Sequence, residues 1–341
     1  LKLMEKKTNN KLKIGFSIGD YNGIGPEILL KAFSKYNLFE KCIPIVFCSK
    51  EVLNFYKDIL NINIKIEDLE NPVKDLKENQ INFFFKEKIK LNIKPGLIEN
   101  SAGKYAELSL YESLKSYKND LIECLITLPI SKINTYSESF KYPGHTEFLE
   151  SEFVNNNSMM IMHSKEIIIG FITGHIPVTH INKYINKNFI SEKFKIFINS
   201  LKNDFNIKNP RVAVLGLNPH SGEDGLLGKE EKEIIMPLMD NFNKKNKLFF
   251  GPYSSDSFFG LKTYNKFDGV ISFYHDQGLV GFKSISFDNG VNYTSGLPII
   301  RSSPDHGTAF NIAGKGVANE LSFLNSVLLN IKIFNNRKLY K

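Results

Sequence analysis

A chain of 341 residues, 42% hydrophobic and 23% charged, can bury the core of one large or two modest domains and is too apolar for a disordered protein. Its formal net charge of +8 comes from Lys and Arg spread along the chain, as in SLKNDFNIKNPR and DNFNKKNKL, and not from the clustered stripe of a nucleic-acid binder. No apolar run approaches the ~20 residues of a membrane span, so neither nucleic acid nor membrane is an expected partner.

The first segment, LKLMEKKTNNKLK, is basic but has no apolar core or cleavage site. It is expected to be a polar tail over residues 1–10 and not a secretion signal, which makes the expected location cytoplasmic. KIGFSI then reads as a buried strand and PEILLKAFSKY as a helix, with GDYNGIGPE between them. Pro26 suits the first helical turn, where a missing N–H costs nothing. The dinucleotide fingerprint would need a third glycine at position 28, which is Ile. Spacing alone therefore favours a strand-to-helix turn without a ligand.

IPIVFC (strand), SAGKYAELSLYESLKSY (helix) and CLITLP (strand) follow. Cys42, Cys48 and Cys124 sit in apolar, strand-like surroundings without C-x-x-C spacing, the pattern of buried free thiols in a reducing compartment. PGHTE opens the next periodic stretch. There Thr146 is a candidate helix N-cap, and the helix start with His145 is also a ready anion site. The polar run ESEFVNNNS reads as a surface linker.

Three further strands each precede a polar loop: IIIGFIT before GHIPVTH, RVAVLGL before NPHSGEDG, and GVISFY before HDQG. KEEKEIIMPLMDNF lies among them as a helix candidate. The alternation predicts a mostly parallel sheet flanked by helices. In such sheets ligands gather beyond the carboxyl ends of the strands, so the polar loops are expected to converge on one cleft.

Of seven histidines, His175, His220 and His275 follow predicted strands. A lone histidine is more often structural, but three at strand ends favour a metal site with open coordination positions. Their wide separation gives no local zinc spacing. His163 and His180 carry no such signal and read as surface or packing residues. The C-terminal block places Lys283, Asn292 and Arg301 among glycines and small polar residues, which suits a phosphate or carboxylate better than a solvated basic face.

Together these segments resemble the 4-hydroxythreonine-4-phosphate dehydrogenase family of pyridoxal phosphate biosynthesis. The motifs are G-D-x-x-G-I-G-P-E, G-H-T-E, G-L-N-P-H-x-G-E-x-G, Y-H-D-Q-G and G-L-P-x-I-R-S-S-x-D-H-G-T-A, in the family order from about Ile14 to Asn319. The departures lie in loops: Ile18, Tyr21 and Val280 stand where relatives often have proline, and the neighbours of Lys132 are altered.

The resemblance implies an α/β fold like that of the isocitrate and isopropylmalate dehydrogenases, with two α/β subdomains around a cleft. Residues 11–137 plus 290–341 would form the first subdomain and 138–289 the second. It implies a homodimer whose active sites are shared between subunits. It assigns His175, His220 and His275 to a divalent metal (Zn foremost; Co, Mn or Mg as alternatives), and His145, Thr146, Lys283, Asn292 and Arg301 to a small phosphorylated substrate. It places NAD(P) at His306, Gly307, Thr308 and Asn319.

The expected activity is NAD-dependent oxidation of 4-phosphooxy-L-threonine to a β-keto acid that decarboxylates to 3-amino-2-oxopropyl phosphate, with Asp256 or Lys132 as the assisting base. The alternatives are a dehydrogenase of threonate or erythronate 4-phosphate and, in another class, a phosphate-ligand-binding module or metal-dependent phosphohydrolase.

Overall fold

The computed structural model describes residues 11–69, 75–85, 91–142, 144–153 and 157–340. The expected N-terminal tail, Pro143 of PGHTE and part of the ESEFVNNNS linker (154–156) lie outside the described residues. The chain forms two compact units, Leu1–Thr135 with Gly307–Glu320, and Tyr136–His306 with Leu321–Lys341.

In the first unit, β1 (Leu12–Ser17), β2 (Cys42–Phe47), β3 (Ile66–Asp68), β4 (Ile81–Phe83) and β5 (Cys124–Thr127) form a parallel array ordered β3-β4-β2-β1-β5. The central strands LKIGFS, CIPIVF and CLIT are almost continuously apolar, as strands covered on both faces must be. The helices are α1 (Gly25–Lys35), α2 (Lys50–Ile59), α3 (Asn100–Lys118) and the short α4 (Lys132–Thr135). All three cysteines are buried and free.

The second unit holds β6 (Met159–His163), β7 (Ile168–Phe171), β8 (Val212–Leu215), β9 (Phe249–Tyr253), β10 (Gly269–Ser272), β11 (Val291–Ser295) and β12 (Ile300–Pro304), ordered β12-β11-β6-β7-β10-β8-β9. Its helices are α5 (His145–Glu152), α6 (Lys187–Asn199), α7 (Met236–Asn243), α8 (Ser255–Gly260), α9 (His275–Ile285) and α10 (Leu321–Lys338). Ile169, Phe171, Leu215, Val270, Phe258 and Phe282 lie in one of its apolar cores.

Strand pairing is mostly parallel, as expected, with an antiparallel stretch in this unit: β7, β10, β8 and β9 run parallel, and β12, β11, β6 and β7 pair antiparallel. Two expectations need correction. Residues 290–341 do not join the first unit as a block. Val291 pairs with His163, β12 pairs with β11, and α10 packs on both strands, which leaves only Gly307–Glu320 on the other side. The expected helix KEEKEIIMPLMDNF is divided into a π-helical turn at Glu231–Ile235 and α7, whose first turn holds Pro237. Proline has no N–H to continue a helical ladder and is accommodated at such a start.

Among the described residues, no helix is long and apolar enough to cross a membrane.

Candidate active site

β7, β10 and β8 are parallel neighbours, so their carboxyl ends emerge at one edge of the array. His175, His220 and His275 each follow one of these ends, within five residues of Phe171, Leu215 and Ser272. His175 and His275 meet, with ring centroids 5.0 Å apart and planes inclined by 43°. Each ring has a carboxylate near Nδ1: Asp276 Oδ1 at 2.6 Å from His275, and Glu147 Oε1 at 3.6 Å from His175. A carboxylate at Nδ1 favours the tautomer that leaves an Nε2 lone pair for a metal.

Gln277, the next residue of HDQG, ties the edge together. Its Oε1 accepts from Phe273 N–H at 2.7 Å, and its Nε2 donates to Gly216 O and to Ser255 Oγ at 2.5 and 2.9 Å.

His220 is presented differently. His220, Ser221, Gly222, Glu223 and Asp224 all have positive φ, between 44° and 82°. Four of them carry side chains, and each such residue costs about 1–2 kcal/mol in this conformation. Buried Glu231 opposes that cost by accepting from Asn218 N–H at 2.7 Å and Asn218 Nδ2 at 2.9 Å. A Cβ at position 222 would stand 2.8 Å from Glu231 Oε2, so Gly222 makes that approach possible.

The turn brings His220 within electrostatic reach of exposed Asp256. The Asp256 carboxyl is held below its ordinary range, first by a hydrogen bond from Ser254 Oγ, then by the Ser257 N–H, with a smaller contribution from His220.

Among the described residues, no group of three His, Cys, Asp or Glu side chains is close enough to hold an ion. Of the three expected ligands, the structure brings His175 and His275 together, and His220 follows the neighbouring strand end without joining them in a cluster. The donor types are those a divalent metal takes, two imidazoles with carboxylates near Nδ1 and a third histidine on the same edge.

The expected substrate residues also gather in this unit. Arg301 on β12 is 2% exposed and donates to Thr294 Oγ1 at 2.9 Å and Thr146 Oγ1 at 3.4 Å. Burial pushes its guanidinium down to about 10, with Glu147 acting in the opposite direction, so it stays charged at neutral pH. His145 opens α5 near Arg301. Burial and the guanidinium hold its imidazole well below the usual histidine range, and so neutral. Buried His145 Nε2 and Asn292 Oδ1 have no protein partner. Buried polar atoms are rarely left unpaired, and these two are suited to a ligand. Lys283 reaches Asp305, with Nζ 2.5 Å from Oδ2 and 2.9 Å from the carbonyl oxygen.

The expected cofactor residues divide at the unit boundary. His306 ends a segment of the second unit, whereas Gly307, Thr308 and Asn319 belong to the first. There the loop is fastened to the GDYNGIGPE turn. Ile24 N–H donates to Thr308 O at 3.0 Å, and Glu27, fully buried on α1, accepts from Gly314 N–H and Ala318 N–H at 3.1 and 2.9 Å. Lys31 adds bonds to the carbonyls of Gly316 and Ala318.

The polar residues of the turn itself face inward. Asp20 bonds Asn22 N–H at 2.9 Å and Asn134 Nδ2 at 2.8 Å. The motif thus acts as an internal brace for the loop. Left-handed Gly314 and Gly316, both at φ 73°, let that loop turn tightly, and at Gly314 a Cβ would stand 2.7 Å from the Pro95 side chain. Lys132, the alternative base, is exposed at the start of α4 in the first unit, and Asp256 lies in the second.

The candidate roles of Glu27, Glu147, Glu231, Asp276, Gln277 and Asp305 were missed from sequence. All but Glu231 lie inside quoted motifs next to residues that were singled out, and that adjacency was the available signal.

Comparison with known proteins gives one consistent result. The family model described as pyridoxal phosphate biosynthetic protein PdxA matches residues 40–330. The 4-hydroxythreonine-4-phosphate dehydrogenase of Bacteroides thetaiotaomicron is 41% identical over 330 residues, covering 96% of this chain and 90% of that protein. A Clostridium botulinum protein named for D-threonate 4-phosphate dehydrogenase is 32% identical over 330 residues, covering 95% and 97%. The crystal structure of the Klebsiella pneumoniae 4-hydroxythreonine-4-phosphate dehydrogenase matches with a TM-score of 0.80 at 28% identity, covering 95% and 98%. Isocitrate dehydrogenase from Methylococcus capsulatus shares the fold, with a TM-score of 0.52 at 10% identity, covering 96% and 87%.

Proposed function

The chain belongs to the PdxA family of pyridoxal phosphate biosynthetic proteins, and from that premise we propose that it oxidises 4-phosphooxy-L-threonine with NAD. The observation that carries this reading is buried Arg301 near the unpartnered His145 Nε2, in the same unit as the paired imidazoles of His175 and His275.

Arg301, with Thr146, Lys283 and Asn292, holds the anionic end of the substrate. Neutral His145 offers an uncharged hydrogen-bonding group there, so the positive charge stays on Arg301 and Lys283. A divalent ion, Zn before Co, Mn or Mg, would be held by His175, His220 and His275, and NAD would be held by His306, Gly307, Thr308 and Asn319. When bound, the ion supplies Lewis acidity that lowers the pKa of the C3 hydroxyl, and NAD supplies the hydride acceptor. Asp256, kept ionised by Ser254 and Ser257, takes the hydroxyl proton, with Lys132 as the alternative base. The C3–H bond breaks with its electron pair leaving as hydride, and the C3–O bond becomes a carbonyl. The resulting β-keto acid loses CO2 to give 3-amino-2-oxopropyl phosphate. The enzyme works as a homodimer with shared active sites, in the cytoplasm.

The 32% identical relative named for D-threonate 4-phosphate dehydrogenase favours a second reading in which only the C2 substituent changes from amine to hydroxyl. The test is NADH formation by the purified protein with 4-phosphooxy-L-threonine and with D-threonate 4-phosphate, each with and without chelator. The expected result is chelator-sensitive NADH formation with the first substrate at the higher kcat/KM. Phosphate release without NADH formation would instead indicate a phosphohydrolase.

A further inference from the structure

We infer that Asp305 is a positioning residue that aims the Lys283 ammonium at the anionic group of the substrate. The inference rests on the proposed role of Lys283 as a substrate contact.

An ammonium has three N–H donors. Lys283 Nζ donates to the Asp305 carbonyl oxygen at 2.9 Å and lies 2.5 Å from Oδ2 as an ion pair, so one residue holds the ammonium through both its backbone and its side chain. A lysine otherwise moves freely about its four-carbon stem. Here the Phe287 ring also stands 5.1 Å from Nζ, which confines the head group further.

Asp305 is itself fixed. Its carboxylate is only 10% exposed, and its N–H donates to Ser322 Oγ at 2.9 Å. That hydroxyl in turn donates to Gly290 O at 2.6 Å. A Cβ at position 290 would fall 2.5 Å from Asp305 Oδ2 and 2.7 Å from Phe282 Cε1, so the carboxylate occupies space that only glycine leaves open. The arrangement draws Asp305, Gly290 and Ser322 from three segments to hold one lysine.

The test compares K283M, D305N, the double variant and G290A with the wild-type enzyme, using steady-state kinetics with 4-phosphooxy-L-threonine and calorimetric titration with inorganic phosphate. Thermal melting of each variant confirms folding. K283M is expected to raise KM at least tenfold. D305N is expected to raise KM by a similar factor while kcat changes less than threefold. The double variant should be no worse than K283M alone, because both changes remove the same aimed donor. G290A, with Asp305 intact, should reproduce part of the KM rise by displacing the carboxylate.

KM within twofold of wild type in D305N, when K283M is tenfold worse, would overturn the inference. So would fully multiplicative effects in the double variant, since Asp305 would then act independently of Lys283. An unchanged KM in K283M would remove Lys283 from the substrate site, and with it the basis of the inference. If wild type forms no NADH with either substrate, the functional reading fails, and phosphate titration decides for Asp305: at least tenfold weaker binding in D305N supports it, and equal binding overturns it.

Discussion

Asp276 accepts from His275 Nδ1–H at 2.6 Å while His275 faces His175 across 5.0 Å between ring centroids. A carboxylate at that distance fixes which nitrogen carries the proton, and so which nitrogen is available to a metal. Losing such an orienting partner typically weakens metal binding 10–100-fold. The D276N variant is expected to bind zinc more weakly by about that factor, with H275A weaker still, measured by competition against a chromogenic chelator. Equal zinc affinity in wild type and D276N would rule out an orienting role for this carboxylate.

The His220 turn depends on Glu231. Removing that carboxylate leaves the part-buried Asn218 N–H without its acceptor, while Asn218 Nδ2 keeps its bond to Glu230 Oε2 at 2.8 Å, at a cost of about 1–3 kcal/mol. E231A is therefore expected to lower the melting temperature by several degrees and to weaken zinc binding, although residue 231 is not a proposed ligand. Melting curves and chelator competition on the same preparation check both effects. A loss of stability with unchanged zinc affinity would separate Glu231 from the metal site.

Strands with wholly apolar interiors were legible in the sequence: KIGFSI, IPIVFC, CLITLP, IIIGFIT, RVAVLGL and GVISFY correspond to β1, β2, β5, β7, β8 and β10. The strands that carry the candidate substrate residues were not. VNYTS and IRSSP place Asn292, Thr294 and Arg301 among buried positions, so β11 and β12 lack the apolar run that marks a core strand. MMIMH of β6 has only one β-branched residue, Ile161, among methionines, a weak strand signal. Motifs singled out the histidines, the arginine and the loop proposed for the cofactor. Pairings such as Glu147 with His175 and Asp305 with Lys283 join segments 22 or more residues apart, and only the folded chain brings them together.

His163, which carried no sequence signal, gives a pH expectation. Its ring stacks on Phe205 at 5.2 Å with planes 7° apart, and burial together with Lys332 lowers it from 6.5 to about 4. The folded state thus keeps His163 neutral where the unfolded chain takes up a proton. Stability from this residue is intact above pH 6.5 and is lost as pH falls towards about 4, by up to about 1.4 kcal/mol per pH unit. H163F keeps the stack and removes the titration, so its melting temperature should fall less steeply across this window. Parallel curves for wild type and H163F would exclude the contribution.

Glu27 links the GDYNGIGPE turn to the proposed cofactor loop. Its buried carboxylate receives the N–H groups of Gly314 and Ala318, and hydrogen bonds to a charged group contribute about 1.5–3 kcal/mol each. E27Q keeps the size of the side chain but replaces one acceptor oxygen with a donor, so one of the two N–H groups loses its partner. The loop bearing Gly307, Thr308 and Asn319 then relaxes while the anion site of the other unit keeps its own bonds. E27Q is expected to raise the KM for NAD about tenfold, the equivalent of about 1.4 kcal/mol, and to change the KM for the phosphorylated substrate less than twofold. Initial rates at varied NAD and at varied substrate separate the two constants. Equal rises in both would place the effect of Glu27 in general stability, and a rise confined to the phosphorylated substrate would move the cofactor away from this loop.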